Sequence, residues 1–466
     1  MADRHHPWLW HGHRRPVGVV HGAVDHLRRR RRDRGRHPSD AAASGSAGVG
    51  KERVPLSGLE KDKPMSGMRL LAGPSLAAGA ESYTDHLRRL GAPTLAGRAL
   101  IEVLGRSGLA GRGGASFPVG TKWKAVAAKS KGNAVVIANG AEGEPQSHKD
   151  RLLMTTRPHL ILDGAFVAAR TLRANQVVIY VGEEHGTAWA AVERALAERP
   201  EADRRIARMV AAPHRYVAGE SSAAVHLIDA GIATPTTTPP HPRERGVASA
   251  PTLVQNVETL AHVALIARYG DGWYRSAGRR GAEGTILITI VGGVNTPGIL
   301  EVEAGTTIEE TVAMAGGISE PATALLIGGY FGAWVPADKG WALPIDAAAL
   351  KAQGLNLGCG VIGVLPATRC GVCDTARIMR YLALESSAQC GPCFFGLRAL
   401  SDACSRVAER GTNRDDLARL KRWAVEVQGR GACKHPDGAV TFLRSALSTF
   451  ADGFASHPAH WRQQPA

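Results

Sequence analysis

The sequence predicts an α/β protein: a parallel sheet with helical crossovers, then a smaller β-grasp-like unit, then a helical C-terminal unit. Three observations carry this. The short apolar runs Ala134-Val-Val-Ile-Ala138 and Gln176-Val-Val-Ile-Tyr-Val181 flank a helical stretch and read as strands buried on both faces. A second strand-rich stretch opens at Thr285-Ile-Leu-Ile-Thr-Ile-Val291 and continues through a turn, a strand and a helix. Beyond residue 365 the apolar period is helical.

In chain order, 82–107 reads as one helix running into a glycine-rich loop. Helix 121–129, strand 134–138, loop 139–150 and helix 151–172 follow, with the Pro158-His159 step setting a helix start inside the last. Strand 176–181, helix 187–198, a strand near 206–217 and helix 222–230 complete a strand–helix alternation that implies right-handed crossovers. Residues 232–251 carry Pro235, Pro239, Pro240, Pro242 and Pro251 and are expected to be extended and irregular. Helix 254–269 is expected to hold Gln255-Asn-Val-Glu-Thr259 in its first turn, where free N–H groups face a ligand or are simply capped. The domains expected are 82–275, 284–350 and 365–455. Nothing in the middle one looks catalytic.

A length of 466 residues gives room for several domains with ample core. The net charge of +15 invites a nucleic-acid reading, but residues 1–37 hold ten Arg against three Asp, so about half of the excess sits in the leader. That leader, 1–64, reads as a disordered tail or as sequence upstream of a true start at Met65 or Met68. No nucleic-acid partner is expected. No apolar run reaches the roughly 18 residues that span a bilayer, so direct membrane insertion is excluded and membrane association would come through partner subunits. The seven cysteines fall between Cys359 and Cys433. Four of them make the pairs Cys370-x-x-Cys373 and Cys390-x-x-Cys393, a usage that fits metal or redox chemistry in a reducing, cytoplasmic setting.

Gly108-Leu-Ala-Gly-Arg-Gly-Gly-Ala-Ser-Phe-Pro-Val-Gly-Thr-Lys-Trp123 removes side chains at Gly111, Gly113 and Gly114, so its backbone can bend sharply and approach a flat ligand. Lys122 adds a charge suited to a phosphate. The second polar cluster, Asn139-Gly-Ala-Glu-Gly-Glu-Pro145, lies at the carboxyl end of a strand, where α/β sheets place ligands. Cys390-Gly-Pro-Cys393 with Cys433 forty residues on is an iron–sulfur or metal pattern. Its competitor, a thiol–disulfide motif, expects a preceding strand, and here the tetrapeptide lies between helices.

From about 82 to 450 these residues resemble the FMN- and NADH-binding flavoprotein subunit of respiratory complex I and its relatives in NAD-linked hydrogenases and formate dehydrogenases. The matching pieces are Gly111-Arg-Gly-Gly114 with Phe117-Pro118 and Lys122-Trp123, Asn139…Glu142-Gly-Glu-Pro145 with Lys149-Asp-Arg151, Tyr216…Gly219-Glu220, Pro251-Thr252…Asn256-Val-Glu-Thr259, and Cys390-x-Pro-Cys393…Cys433. The resemblance implies a Rossmann-like FMN domain, a ubiquitin-like (β-grasp) domain and a four-helix bundle with a [4Fe–4S] cluster. It implies hydride transfer from NADH to FMN, single electrons to the cluster, and a thioredoxin-like partner subunit with a [2Fe–2S] centre.

On the flavin side the resemblance implies contacts from Gly111, Arg112, Gly113, Gly114, Lys122, Asn139, Glu142, Tyr216, Gly219, Glu220, Asn256 and Thr259, with Glu144 as the acid near the flavin's reactive edge. Ala141 replaces a family aspartate. On the nucleotide side Phe117 is kept, but family aromatic and charged positions fall at Ala125, Thr238, His241 and Ser221. Two lost stacking faces at about 1 kcal/mol each, with a lost charge contact, weaken dinucleotide binding by tens-fold. A second reading therefore keeps FMN and the cluster but exchanges electrons with a ferredoxin or another carrier. A third is a scaffold that retains only the fold.

The family's first cluster cysteine is Ser387 here. Cys370 and Cys373 precede it by 17 and 14 residues of helical pattern, about 20–25 Å at 1.5 Å per residue, so neither can replace it. Serine ligation, an exogenous ligand, a three-iron cluster and an empty site stay open, with Cys390, Cys393, Cys433 and Ser387 as the candidate metal residues.

Overall fold

The computed structural model describes residues 68–458 together with a two-residue strand, Gly18–Val19. The expectation for the arginine-rich leader thus lies outside the described residues, apart from that strand.

The first sheet has four parallel strands, β1 (Ala134–Gly140), β2 (Ala174–Gly182), β3 (Ala207–Ala212) and β4 (Thr252–Asn256), in the order β3-β2-β1-β4. The period of two decides which side chain serves which face. Val136 and Ala138 join the core on one side, while Val135 and Ile137 join that on the other. The first side is covered by α1 (Tyr83–Leu90), α2 (Gly97–Arg106), α3 (Val119–Lys129), α4 (Lys149–Thr156), α5 (Pro158–Leu172) and α6 (Gly186–Ala197). The second is covered by α7 (Ser221–Ala230), and α8 (Val257–Arg275) returns to the first.

Three expectations are corrected here. The helix over 82–107 is two helices, broken where Gly91 takes φ +68° before Pro93. The strand near 206–217 is shorter, since a turn of helix runs to Ile206 and only 207–212 pair with β2. The helix placed at 254–269 starts at Val257: residues 252–256 are strand β4, which hydrogen-bonds to β1, and Asn256 is the cap of α8 rather than part of its first turn.

Helices α5 and α8 approach so closely that a Cβ on Gly164 would lie 2.0 Å from the Leu260 carbonyl oxygen. Gly164→Ala is expected to cost about 3 kcal/mol by overpacking, read as a lowered thermal unfolding midpoint. An unchanged midpoint would mean that the two helices can part freely.

The second sheet holds β5 (Thr285–Gly292), β6 (Gly298–Glu303), β7 (Ala322–Ile327), β8 (Ala333–Pro336) and β9 (Val361–Pro366) in the order β6-β5-β9-β7-β8, with Gly18–Val19 parallel beside β6. Helix α9 (Ile308–Met314), capped by a reciprocal Thr307–Glu310 box, packs Ile308 and Val312 against it. Strand β9 sits at the centre of this sheet, so the expected limit at residue 350 cuts the unit short. Four longer helices follow: α10 (Gly371–Leu384), α11 (Arg398–Arg410), α12 (Arg414–Val427) and α13 (His435–Thr449), closing on Leu382, Leu400, Leu420 and Phe442. The fold is therefore a mixed α/β protein with a Rossmann-like parallel sheet, a second sheet and a helical C-terminal region.

Candidate functional site

The order β3-β2-β1-β4 means that the chain leaves β1 in one direction and returns on its other side. The topological switch point, where α/β sheets open a crevice, therefore lies between the carboxyl ends of β1 and β4. Asn139 and Asn256 face each other in register there. The expected site residues gather around this pair. The glycine-rich loop closes on itself through Gly111 N–H to the Phe117 carbonyl, 2.9 Å, and lies over the pair, with the Cβ position of Gly113 3.2 Å from the Asn256 side chain. Asn139 donates to the Gly219 carbonyl, 2.9 Å. Gly114, at φ +104°, has nothing within 4 Å of where a Cβ would sit, and the Cβ position of Gly219 has no neighbour nearer than 3.8 Å. These bare positions form a cradle that side chains would fill, which is what a flat cofactor needs.

Several polar residues expected to touch a ligand are committed to the scaffold. The Glu142 carboxylate accepts from the Asp150 and Arg151 N–H groups, each at 2.9 Å, and from Ser147, so it caps α4. Glu220 caps α7 through the Ser222 and Ala223 N–H groups. Asn256 caps α8 and donates to Asp150 at 2.6 Å. Thr259 accepts the Arg112 N–H, 2.9 Å, while the Arg112 guanidinium turns away to Tyr274 and the Thr285 carbonyl. Lys122 turns its ammonium inward onto the Val254 carbonyl, and loss of hydration, with Arg243 nearby, lowers its pKa to about 8. The polar residues thus shape the crevice.

Glu144 is different. It is buried, and its Oε2 accepts from the Tyr330 N–H at 2.9 Å and the Tyr216 hydroxyl at 3.1 Å. Burial raises its pKa to about 7 against these hydrogen bonds, which favour the carboxylate. Tyr330 belongs to the middle domain, and a Cβ on Gly329 would lie 2.7 Å from the same oxygen. The middle domain, in which nothing looked catalytic, reaches this carboxyl group through its loop 328–332. Cys359, whose thiol is pushed up by burial and then by Glu144, also belongs to the surroundings. The run Gly328-Gly-Tyr-Phe-Gly332 is legible as a turn but says nothing of its target.

Cys390 and Cys393 lie where α10 has ended and the chain re-enters helix through a π-helical turn, Pro392–Leu397, a wide form found at functional sites. Burial, then the neighbouring Cys390 and Cys433, push the Cys393 thiol up to about 12. All three retained cysteines are therefore brought together, and this donor set fits an iron–sulfur cluster. The hydroxyl beside Cys393 is that of Ser386, which donates to the Ala383 carbonyl at 3.0 Å, and Ser387 is half-buried one residue later. Tyr216 joins the two sites. While its hydroxyl holds Glu144, its ring packs against His435, 5.7 Å between centroids, two residues beyond Cys433.

The nucleotide side is sparse. Phe117, in the glycine-rich loop, is 46% exposed. Ala125, Ser221 and His241 are half-buried and Thr238 is exposed.

Residues 104–265 match the family described as the Nuo51 FMN-binding domain, and 374–457 match the NADH-ubiquinone oxidoreductase-F iron-sulfur binding region. Residues 287–329 match the SLBB domain. The NADH-quinone oxidoreductase F 2 subunit of Rhizobium meliloti (strain 1021) is 31% identical over 372 residues, 77% of this chain and 88% of that protein. The chain belongs to the family of NADH-quinone oxidoreductase F subunits. The corresponding protein of Escherichia coli (strain K12) is likewise 31% identical, over 75% of this chain and 82% of its own. Among solved structures, the NAD+-reducing [NiFe]-hydrogenase in its H2-reduced state superposes with a TM-score of 0.69 at 29% identity. That match covers 79% of this chain, which spans 63% of the hydrogenase chain. As a member of this family, the chain is an NADH dehydrogenase-type oxidoreductase subunit, and such proteins work within multi-subunit complexes. Among the described residues no helix is long and apolar enough to cross a membrane.

Proposed function

We propose that this chain is the electron-entry subunit of such a complex, taking two electrons from NADH at the crevice and passing them on singly through the cysteine site. The observation that carries this is the sharing of Tyr216 between the buried Glu144 and the segment that bears Cys433. It makes the two sites neighbours. FMN held at the switch point, between Gly111, Gly113, Gly114, Asn139 and Gly219, would supply the conversion from two-electron to one-electron chemistry, and a cluster on Cys390, Cys393 and Cys433 would take the single electrons. Arg112, Lys122, Glu142, Glu220, Asn256 and Thr259 keep the crevice in shape. Glu144, with a pKa of about 7, is half-protonated at neutral pH and can give or take the proton that accompanies the electron pair. Phe117 offers the exposed face on which an adenine can stack. For the fourth cluster position we propose Ser387 or an exogenous ligand, and for the next carrier a thioredoxin-like [2Fe–2S] subunit, which would also place the chain at the membrane periphery.

The test is an anaerobic titration of the whole chain, reconstituted with FMN and iron–sulfur, against NADH. Bleaching of the flavin band at micromolar NADH is expected. Flavin that dithionite reduces and NADH does not would replace NADH by another carrier, the reading that Ala125, Ser221, Thr238 and His241 favour. Failure to bind FMN would overturn the proposal.

A further inference from the structure

The second Cys-x-x-Cys pair lies at the other end of α10 from the cluster cysteines. The helical residues 374–384, about 16 Å at 1.5 Å per residue, separate it from the loop that leads to Cys390. Cys370 is the N-cap of this helix, and its sulfur accepts the Cys373 N–H at 3.5 Å. Facing the pair is His457, from the turn after the last helical residues. Its Nε2 lies 3.2 Å from the Cys370 sulfur and 3.5 Å from the Cys373 sulfur. Among the described residues this is the one trio of Cys, His, Asp or Glu whose ligand atoms all lie within 4.8 Å of one another.

We propose that Cys370, Cys373 and His457 form a mononuclear zinc site that clamps the end of the helical region onto the head of α10. A tetrahedral zinc with Zn–S about 2.3 Å and Zn–N about 2.0 Å has S···N edges of about 3.6 Å, close to both observed separations. One imidazole nitrogen has a single site for a partner, so two sulfurs converging on it outnumber what one hydrogen bond can use, whereas a metal uses both. Two thiolates and an imidazole are the donors that zinc prefers over the hard divalent ions. The backbone holds the histidine in place: the His457 N–H donates to the Thr412 hydroxyl at 2.8 Å, and the His457 carbonyl accepts the Thr412 N–H at 3.0 Å. The adjacent Asp374 is committed to Arg369 at 2.6 Å and Arg377 at 2.8 Å. Both bonds take its Oδ1, and Asp374 is not among the residues whose ligand atoms lie within 4.8 Å of one another, so the fourth position falls to water or an exogenous group. Closing a loop between residues 87 apart restricts the unfolded chain as a disulfide does.

The competing chemistry is a reversible Cys370–Cys373 disulfide at a helix N-terminus, where the histidine would favour the thiolate of Cys370 alone, whereas a metal engages both sulfurs and the imidazole together. The full chain, purified without added metal, would be assayed for zinc and iron after dialysis against a weak chelator. One zinc per chain is expected in the wild type and in Cys433→Ser, falling about tenfold or more in Cys373→Ser and His457→Gln while iron follows only the Cys433 change. Cobalt(II) titration of the wild type needs no variant and should give a thiolate-to-metal charge-transfer band at one equivalent. No zinc together with no cobalt band would overturn the site. So would a Cys370–Cys373 disulfide recovered by alkylation and mass spectrometry under conditions where zinc is supplied.

Discussion

Replacing Glu144 by glutamine is expected to lower kcat for NADH oxidation by about 10²-fold or more, the range general acid–base groups contribute, while leaving flavin bound. Glutamine keeps the volume and an oxygen that accepts from Tyr330 and Tyr216, so the crevice is not remodelled. What it loses is the exchangeable proton. In the wild type the pH profile of kcat should carry a limb near 7, the value to which burial raises this carboxyl group, and the variant should lack it. Stability of the flavin-free chain gives an independent readout. A carboxyl group with a raised pKa holds its proton in the folded state across the window from its ordinary 4.5 to about 7, so folding stability falls as pH rises through that window. Glutamine has no such penalty. At pH 8 it should be the more stable protein by about 3 kcal/mol, and at pH 4.5 the two should melt alike. A variant with no advantage at pH 8 would show that the carboxylate is comfortably ionised where it sits, and the proton-handling role would fall with it.

What the sequence makes legible is whatever is written in local pattern. Strands β1 and β2 are buried on both faces, so Ala134–Ala138 and Val177–Val181 appear as unbroken apolar runs. Strand β4 was hidden because Thr252–Asn256 is short and abuts a helix, and only pairing with β1 makes it a strand. The glycine loops stood out because absent side chains are visible in sequence, and the bare backbone at Gly114 and Gly219 matches that reading of them. The acids misled in part: Glu142 and Glu220 have the chemistry of ligand contacts, yet their carboxylates go to helix N-termini, a role signalled for Glu220 by the Ser-Ser that opens α7. Other contacts left no local trace. Tyr330 meets Glu144 across 186 residues, and His457 reaches Cys370 across 87. Such distances are closed by the fold as a whole, and no spacing rule announces them.

Lys149→Met is expected to be among the most destabilising single changes in the α/β domain. Under the crevice, the buried Lys149 ammonium sits 2.7 Å from Asp150 and 2.8 Å from Glu258. Glu258 in turn accepts the Leu287 N–H at 3.0 Å and lies 3.8 Å from Arg112, so one cluster ties α4, α8 and the first strand of the second sheet together. Burial opposes the lysine charge, but Asp150, Glu258 and Glu142 outweigh it and raise its pKa. Its contribution is therefore present at every pH below the ordinary lysine value. Methionine fills the space and leaves buried carboxylates without their main cation, a change that costs about 3–5 kcal/mol. The cost depends on pH with a definite sign. Burial already lifts Asp150 to about 7 against the pull of Lys149, and without the lysine its protonation is favoured further. The folded variant therefore keeps a proton on Asp150 at pH values where the wild type has released its own, and keeping it costs more as pH rises. Thermal or urea unfolding should therefore show a larger loss at pH 8 than at pH 5.5. Adding Glu258→Gln should restore part of it at pH 8, since the pair share one interaction and do not add. Equal losses at the two pH values, with no rescue, would mean that the lysine acts by packing alone and that the charged cluster does not hold the three elements together.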